Sequence, residues 1–194
     1  MVRVIAGTYR SRILKTLEGQ ETRPTSDRLK ETLFNLLQGR IAGSTFLDGF
    51  AGSGNIGIEA LSRGAAHVVF LEISRKACAL LHENLNKLGI QESAACEILC
   101  LPAEAGMKFM GQKGRNFDIV FLDPPYREKA LYSAVFGRLA EPGLLAPDGW
   151  VVAEHSKHLH LPASVGSLTR FREVRQGDSV LSLYRIVPER ESSG

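Results

Sequence analysis

Two short motifs in this 194-residue chain combine acidic side chains with a backbone that is either unusually stiff or unusually free. Asp123-Pro124-Pro125-Tyr126 is the stiff one. Consecutive prolines remove two backbone donors and rigidify the turn, leaving the Pro124 carbonyl to accept. Asp123 offers a second acceptor and Tyr126 a flat face. Two acceptors beside a ring make a cradle for a planar group that carries an NH2, one acceptor for each hydrogen.

Asp48-Gly49-Phe50-Ala51-Gly52-Ser53-Gly54-Asn55-Ile56-Gly57 is the free one. Gly52, Gly54 and Gly57 spell G-x-G-x-x-G, and Glu72 follows about 20 residues on, where a carboxylate can accept from ribose hydroxyls. Taken alone, that pattern reads as the dinucleotide loop of a dehydrogenase. Asp48 argues otherwise. A dehydrogenase loop receives an anionic pyrophosphate at a helix N-terminus, and a carboxylate beside it repels that group. The same carboxylate suits a ligand with a cationic head, such as the amino and sulfonium groups of S-adenosylmethionine.

The elements that must position these motifs alternate along the chain. Apolar runs at Thr45–Asp48, His67–Glu72, Glu97–Cys100, Phe117–Asp123 and Trp150–Glu154 read as strands. Helical spacing predicts helices from Thr25, the expected N-cap, through Leu29, Leu33 and Leu37, then over Ile56–Arg63, after Ser74, over Ala103–Met110 and over Lys129–Leu139. Pro147-Asp148-Gly149 reads as a turn, and Thr169–Arg175 with Val180–Val187 as a closing hairpin. Such alternation predicts a doubly wound, mostly parallel α/β sheet of seven strands, Rossmann-like, with an antiparallel C-terminal hairpin. Ligands of such sheets sit beyond the carboxyl ends of the strands, where the strand order reverses. Both motifs stand at those ends.

Composition narrows the class. With 44% hydrophobic and 23% charged residues, the chain is neither disordered nor fibrous. No apolar run reaches the length of a membrane span, and Met1–Gly7 lacks the apolar stretch of a secretory signal, which predicts a cytoplasmic protein. Cys78, Cys96 and Cys100 read as reduced core residues. His155, His158 and His160 form an H-x-x-H-x-H pattern, read as a solvated loop after the fifth strand and not as a metal site. Net charge is +3 and unevenly spread: residues 1–40 carry eight basic and four acidic side chains, while the remainder is close to neutral. A basic arm on a neutral body suits a polyanion such as nucleic acid.

These residues carry a family resemblance. The Gly-rich loop with Asp123-Pro124-Pro125-Tyr126 resembles S-adenosylmethionine-dependent methyltransferases acting on exocyclic amino groups of nucleobases. Arg3-Val4-Ile5-Ala6-Gly7, Arg23-Pro24-Thr25-Ser26-Asp27-Arg28 and Glu31-Thr32-Leu33-Phe34-Asn35 resemble the small-subunit ribosomal RNA guanine-N2 methyltransferase family (RsmD type). The resemblance runs nearly end to end. It implies a class I methyltransferase fold, with a basic extension (hairpin plus helix) over 1–40 packed on a catalytic domain over 41–188, and a disordered tail over 189–194. It implies that Asp48, Gly49, Phe50, Ala51, Gly52, Ser53 and Gly54 line the methionine part of S-adenosylmethionine, with Glu72 at the ribose and Ile73 a further cofactor contact. Relatives place Asp or Asn after the third strand to bind the adenine amino group. Pro102 stands there in this chain, leaving the Ala103 backbone or Glu104. Asp123, Pro124, Pro125 and Tyr126 are then the catalytic cradle for the target base. Arg10, Arg12, Lys15, Arg23 and Arg28 are expected phosphate contacts, although Arg23 and Arg28 could instead brace Asp27 or Glu31. The expected partner is ribosomal RNA within an assembled or partly assembled small subunit, met by a monomer. Three other readings stay open at this point: an adenine-N6 methyltransferase, an NAD-dependent dehydrogenase and a non-catalytic RNA-binding module.

Overall fold

A computed structural model describes residues 2–17, 26–90, 95–125 and 129–187. The chain opens with a minimal antiparallel pair, β1 (Val2–Arg3) and β2 (Ile13–Leu14), followed by α1 (Asp27–Leu36). An alternating series follows: β3 (Thr45–Asp48), α2 (Asn55–Ser62), β4 (His67–Leu71), α3 (Arg75–Lys87), β5 (Cys96–Leu99), α4 (Ala103–Gln112), β6 (Phe117–Leu122), α5 (Lys129–Ala140) and β7 (Leu145–Ser156). Three strands close the chain: β8 (Ser164–Val165), β9 (Leu168–Gln176) and β10 (Ser179–Ile186). The main sheet has the order β5-β4-β3-β6-β7-β10-β9-β8, parallel from β5 to β7 and antiparallel beyond. It holds eight strands rather than the expected seven, because the two-residue β8 pairs with the start of β9. Strand order reverses between β3 and β6, which opens the crevice at their carboxyl ends.

Each strand sorts its side chains between two cores, as a pleat of period two requires. On β6, Ile119 and Phe121 join Leu33, Phe46, Ile58 and Leu85 beneath α1, α2 and α3. Val120 and Leu122 join Met107, Tyr132 and Phe136 beneath α4 and α5. Helices thus cover both faces, as the alternation predicts.

Local corrections have local causes. The N-cap of α1 is Ser26, whose hydroxyl accepts from the Leu29 amide at 3.2 Å, while Thr25 lies outside the described residues. Pro147-Asp148-Gly149 does not end an element. Pairing jumps from Phe117 opposite Leu145 to Ile119 opposite Trp150, so the extra residues are accommodated as an irregularity inside β7. His155 belongs to that same strand and is buried. The tail over 189–194 lies outside the described residues.

The basic extension is tied down by polar side chains buried under it. Lys30, fully buried on α1, donates to the Arg3 carbonyl at 2.5 Å and to Asn55 Oδ1 at 2.7 Å, and lies 3.2 Å from Glu59. Glu59 on α2 also accepts from the Ile5 amide at 2.8 Å, the Ala6 amide at 3.0 Å and Arg63 at 2.8 Å. On α3, the Asn84 amide accepts from the Lys15 N–H at 2.8 Å and donates to the Lys15 and Ser53 carbonyls at 3.0 and 2.9 Å. One side chain therefore joins the extension to the Gly-rich loop. Lys30→Met keeps the stem volume but strips Glu59 of its buried cation, and should destabilise the fold by about 3–5 kcal/mol in urea unfolding. A change below about 1 kcal/mol would contradict the clamp.

Candidate active site

The carboxyl ends of β3, β4 and β6 border a cavity of about 490 Å³, a size suited to a cofactor-sized ligand. Gly49 through Ser53, Glu72, Ile73 and Ala103 line one part of it, and Asp123, Pro124 and Pro125 another. Thr16 and Leu17 of the extension complete the wall.

The loop after β3 is shaped by its acidic neighbours. Asp48 is 1% exposed and accepts from the Gly57 amide at 2.9 Å, so it caps the start of α2. Both oxygens of Glu72 hold backbone: one accepts from Gly52 N–H at 2.8 Å, the other from Ser74 N–H at 2.7 Å. Gly54, at φ +84°, turns the chain into α2, and a Cβ there would sit 2.3 Å from Leu81. At Gly57 a Cβ would lie 2.2 Å from the Phe70 ring, so glycine permits close packing of helix on strand.

Electrostatics set this edge of the sheet apart. Burial pushes Asp48 up to about 7, against hydrogen bonds from Gly57 and Phe50 that pull it down. Asp123 is raised well above the ordinary carboxylate range, first by burial and then by the nearby charges of Glu154 and Asp48. Glu154, 1% exposed near the end of β7, meets the Ser179 hydroxyl at 3.3 Å, and its carbonyl accepts from Tyr132. Among the described residues no lysine or arginine pairs with Asp48 or Asp123. Carboxylates gathered in this way favour a cationic or amino-bearing ligand.

Most of the expected cofactor and base contacts thus border one cavity. Gly54 and Glu104 do not: Gly54 is buried behind the loop and Glu104 is exposed on the first turn of α4. Tyr126 and Arg23 lie outside the described residues. Arg10, Arg12, Lys15 and Arg28 are all exposed. Lys15 pairs with Glu83 at 2.7 Å, and Asp27 is braced by Arg3 at 2.9 Å and not by Arg28. Glu154, Asn84 and the Thr16–Leu17 wall were not singled out by sequence reasoning. Glu154 did carry a signal, an acidic end to an apolar strand, whereas Asn84 looked like any polar helix residue. His155 is held by Ser182 at 2.9 Å and by the Ser156 carbonyl at 3.0 Å, and no metal-binding group of His, Cys, Asp or Glu occurs among the described residues. Cys78 and Cys96 are buried as expected, but Cys100 is exposed. Among the described residues no helix is long and apolar enough to cross a membrane.

The raised Asp48 has a consequence for stability. An unfolded Asp releases its proton near pH 3.9, whereas the folded chain holds it to about pH 7. The folded state therefore binds more protons across that window, and stability falls as pH rises through it. Asp48→Asn, which keeps an acceptor for Gly57, should be more stable than the parent, with an advantage that grows by about 2–3 kcal/mol between pH 5 and pH 8 in chemical unfolding. An advantage that does not change with pH would contradict this placement of Asp48.

Comparison with known proteins gives this geometry a lineage. The family described as Conserved hypothetical protein 95 matches residues 2–185. Over 158 residues the chain is 41% identical to the Haemophilus influenzae protein named Ribosomal RNA small subunit methyltransferase D, covering 80% of this chain and 79% of that one. It is 35% identical over 193 residues to the protein of that name from Escherichia coli K12, covering 100% of this chain and 92% of that one. The solved structure of a hypothetical protein from Thermus thermophilus superposes with a TM-score of 0.81 at 32% identity, covering 96% of this chain and 100% of that one. The sheet order and closing antiparallel strands of this chain are those of the class I methyltransferase fold. The chain belongs to the Conserved hypothetical protein 95 family, which it shares with the small-subunit ribosomal RNA methyltransferases D.

Proposed function

We propose that the chain transfers a methyl group from S-adenosylmethionine to the exocyclic N2 of a guanine in small-subunit ribosomal RNA, acting in the cytoplasm on an assembled or partly assembled subunit. The observation that carries this reading is the convergence of Asp48, Glu72 and Asp123 on one cavity, with no basic partner for Asp48 or Asp123 among the described residues. A dehydrogenase is disfavoured by the same feature, because a pyrophosphate would meet the Asp48 carboxylate.

The residues present fit this cofactor. Asp48, on the cavity wall, would face a cationic head, and Glu72 has lone pairs left for ribose hydroxyls after serving Gly52 and Ser74. Ile73, 70% exposed beside Glu72, offers an apolar surface to a base, and the backbone at Ala103 offers amides at the start of α4. When bound, S-adenosylmethionine supplies an electrophilic methyl group on a sulfonium.

Asp123 and the Pro124 carbonyl then receive the guanine amino group. Its nitrogen is a poor nucleophile, because its lone pair is delocalised into the ring. Accepting both N–H hydrogens turns that lone pair toward the methyl and stabilises the positive charge that develops. An amino donor and a cation brought beside Asp123 counter the effect of burial and favour its ionised form. Methylation would make the remaining N–H acidic, and Asp123 would be the group placed to take its proton. Holding the two reactants in line supplies most of the acceleration, up to about 7–11 kcal/mol in model systems. The guanine must be unstacked to enter, with Tyr126 as its replacement stacking partner.

Variants separate binding from chemistry. Asp123→Ala should retain thermal stabilisation by S-adenosylmethionine yet lose roughly 100-fold or more in methyl transfer. Gly52→Val places a β-branched residue at φ +53° and should lose both. Near-normal turnover by Asp123→Ala, or stabilisation by NAD in place of S-adenosylmethionine, would overturn the reading.

A further inference from the structure

Away from the cavity, on the sheet face that α1 covers, two arginines flank a pair of packed aromatic rings. The Arg40 guanidinium lies 4.0 Å over the Trp150 ring, Trp150 packs against Phe171 with centroids 4.9 Å apart, and Arg185 lies 5.3 Å over Phe171. Phe171 is 37% exposed, beside the half-buried Trp150. It occupies the register shift between Arg170 and Arg172 of β9, which turns it onto the Trp150 face. Arg172, opposite Leu183 in register, shares that face and is exposed, as is Arg185.

The charge here is uncompensated. Among the described residues none of Arg40, Arg172 and Arg185 pairs with a carboxylate; Arg40 donates instead to the Asp148 carbonyl at 3.0 Å. The neighbouring Arg170 and Arg175 differ, since both are paired with Glu173. The strip also reaches the catalytic edge of the sheet. Thr32 of α1 donates to Gln176 at 2.6 Å, beside Ser179, which pairs with Ser156 at the end of β7. Exposed Arg28 lies one helical turn before Thr32. From Ser179 to Arg185 the seam runs about 20 Å.

We propose that the seam between α1 and β9 is an RNA-docking strip: Arg28, Arg40, Arg172 and Arg185 contact phosphates, and the Trp150–Phe171 pair stacks on unpaired bases. Uncompensated guanidiniums fit a polyanion, and the aromatic pair set between them fits splayed nucleobases better than an acidic protein surface. The strip would hold a stretch of chain outside the cavity while the target guanine enters it. This inference rests on the reading that the chain acts on RNA.

The test is a fluorescence titration of the full chain with an unstructured single-stranded RNA over a range of salt concentrations. The paired substitution Arg172→Gln with Arg185→Gln should weaken binding at least roughly tenfold and flatten the log–log salt slope by about 1.4. Phe171→Ala should cost roughly tenfold. Both should keep the parent's thermal stabilisation by S-adenosylmethionine, which shows that the fold and cavity are intact. Unchanged affinity and slope would overturn the strip. Weakened binding to intact small subunits with unchanged binding to naked RNA would overturn it too, in favour of a protein partner. Methyl transfer by the parent chain, run in parallel, keeps the two readings apart. Transfer that persists while the variants bind RNA normally removes the strip alone, and RNA held through the strip with no transfer removes the proposed reaction alone.

Discussion

Asp48, Asp123 and Glu154 stand at the ends of β3, β6 and β7, three neighbours in the sheet, and the parallel register that pairs Asp48 with Phe121 and Leu122 with Ala153 gathers their charge at one edge. Burial first, and then the nearby charges of Glu72 on Asp48 and of Glu154 and Asp48 on Asp123, disfavour the ionised forms of these two aspartates. A fold selected only for stability would replace them with apolar residues of similar size. Much else at this end of the molecule serves that edge. The α2 amide at Gly57 steadies Asp48, and Glu72 holds the loop in front of it. A ligand that brings positive charge or N–H donors relieves the repulsion, so binding and chemistry draw on the same electrostatic imbalance.

The N-terminal extension is the second constraint, and it connects to the first. Lys30 and Glu59 lock α1, α2 and the backbone of the first residues into one buried network, with Asn55 of α2 as its contact beside the Gly-rich loop. Asn84 repeats the connection on the other side, holding Lys15 and Ser53 together. Thr16 and Leu17 consequently border the cavity. The basic extension, expected to pack on the catalytic domain, also supplies part of the wall of the site, so contacts made along it bear on the loop that shapes the cavity.

How much of this was legible in the sequence depended on the range of the interaction. Strands and helices at Phe117–Leu122 or Arg75–Lys87 were readable because hydrophobic period and caps are local signals. The Gly-rich loop and Asp123-Pro124-Pro125 were readable because their chemistry is carried by adjacent residues. Long-range partners were not: nothing near Asn84 announces a bond to Lys15, 69 positions away, and nothing near Lys30 announces that a lysine will be buried against Glu59. His155 misled for the same reason. Its neighbours His158 and His160 suggested a solvated loop, yet pairing with β10 drew it into the sheet and gave it Ser182. The turn at Pro147-Asp148-Gly149 was correctly seen as an interruption, but flanking partners on both sides carried the strand through it.

The central claim, that the acidic edge delivers a methyl group to a guanine amino nitrogen, is tested most directly by one measurement. Unmodified small ribosomal subunits are incubated with the protein and methyl-labelled S-adenosylmethionine, and the RNA is digested to nucleosides. The account predicts label in N2-methylguanosine. Label in N6-methyladenosine, or none despite demonstrable cofactor binding to a folded protein, would contradict it.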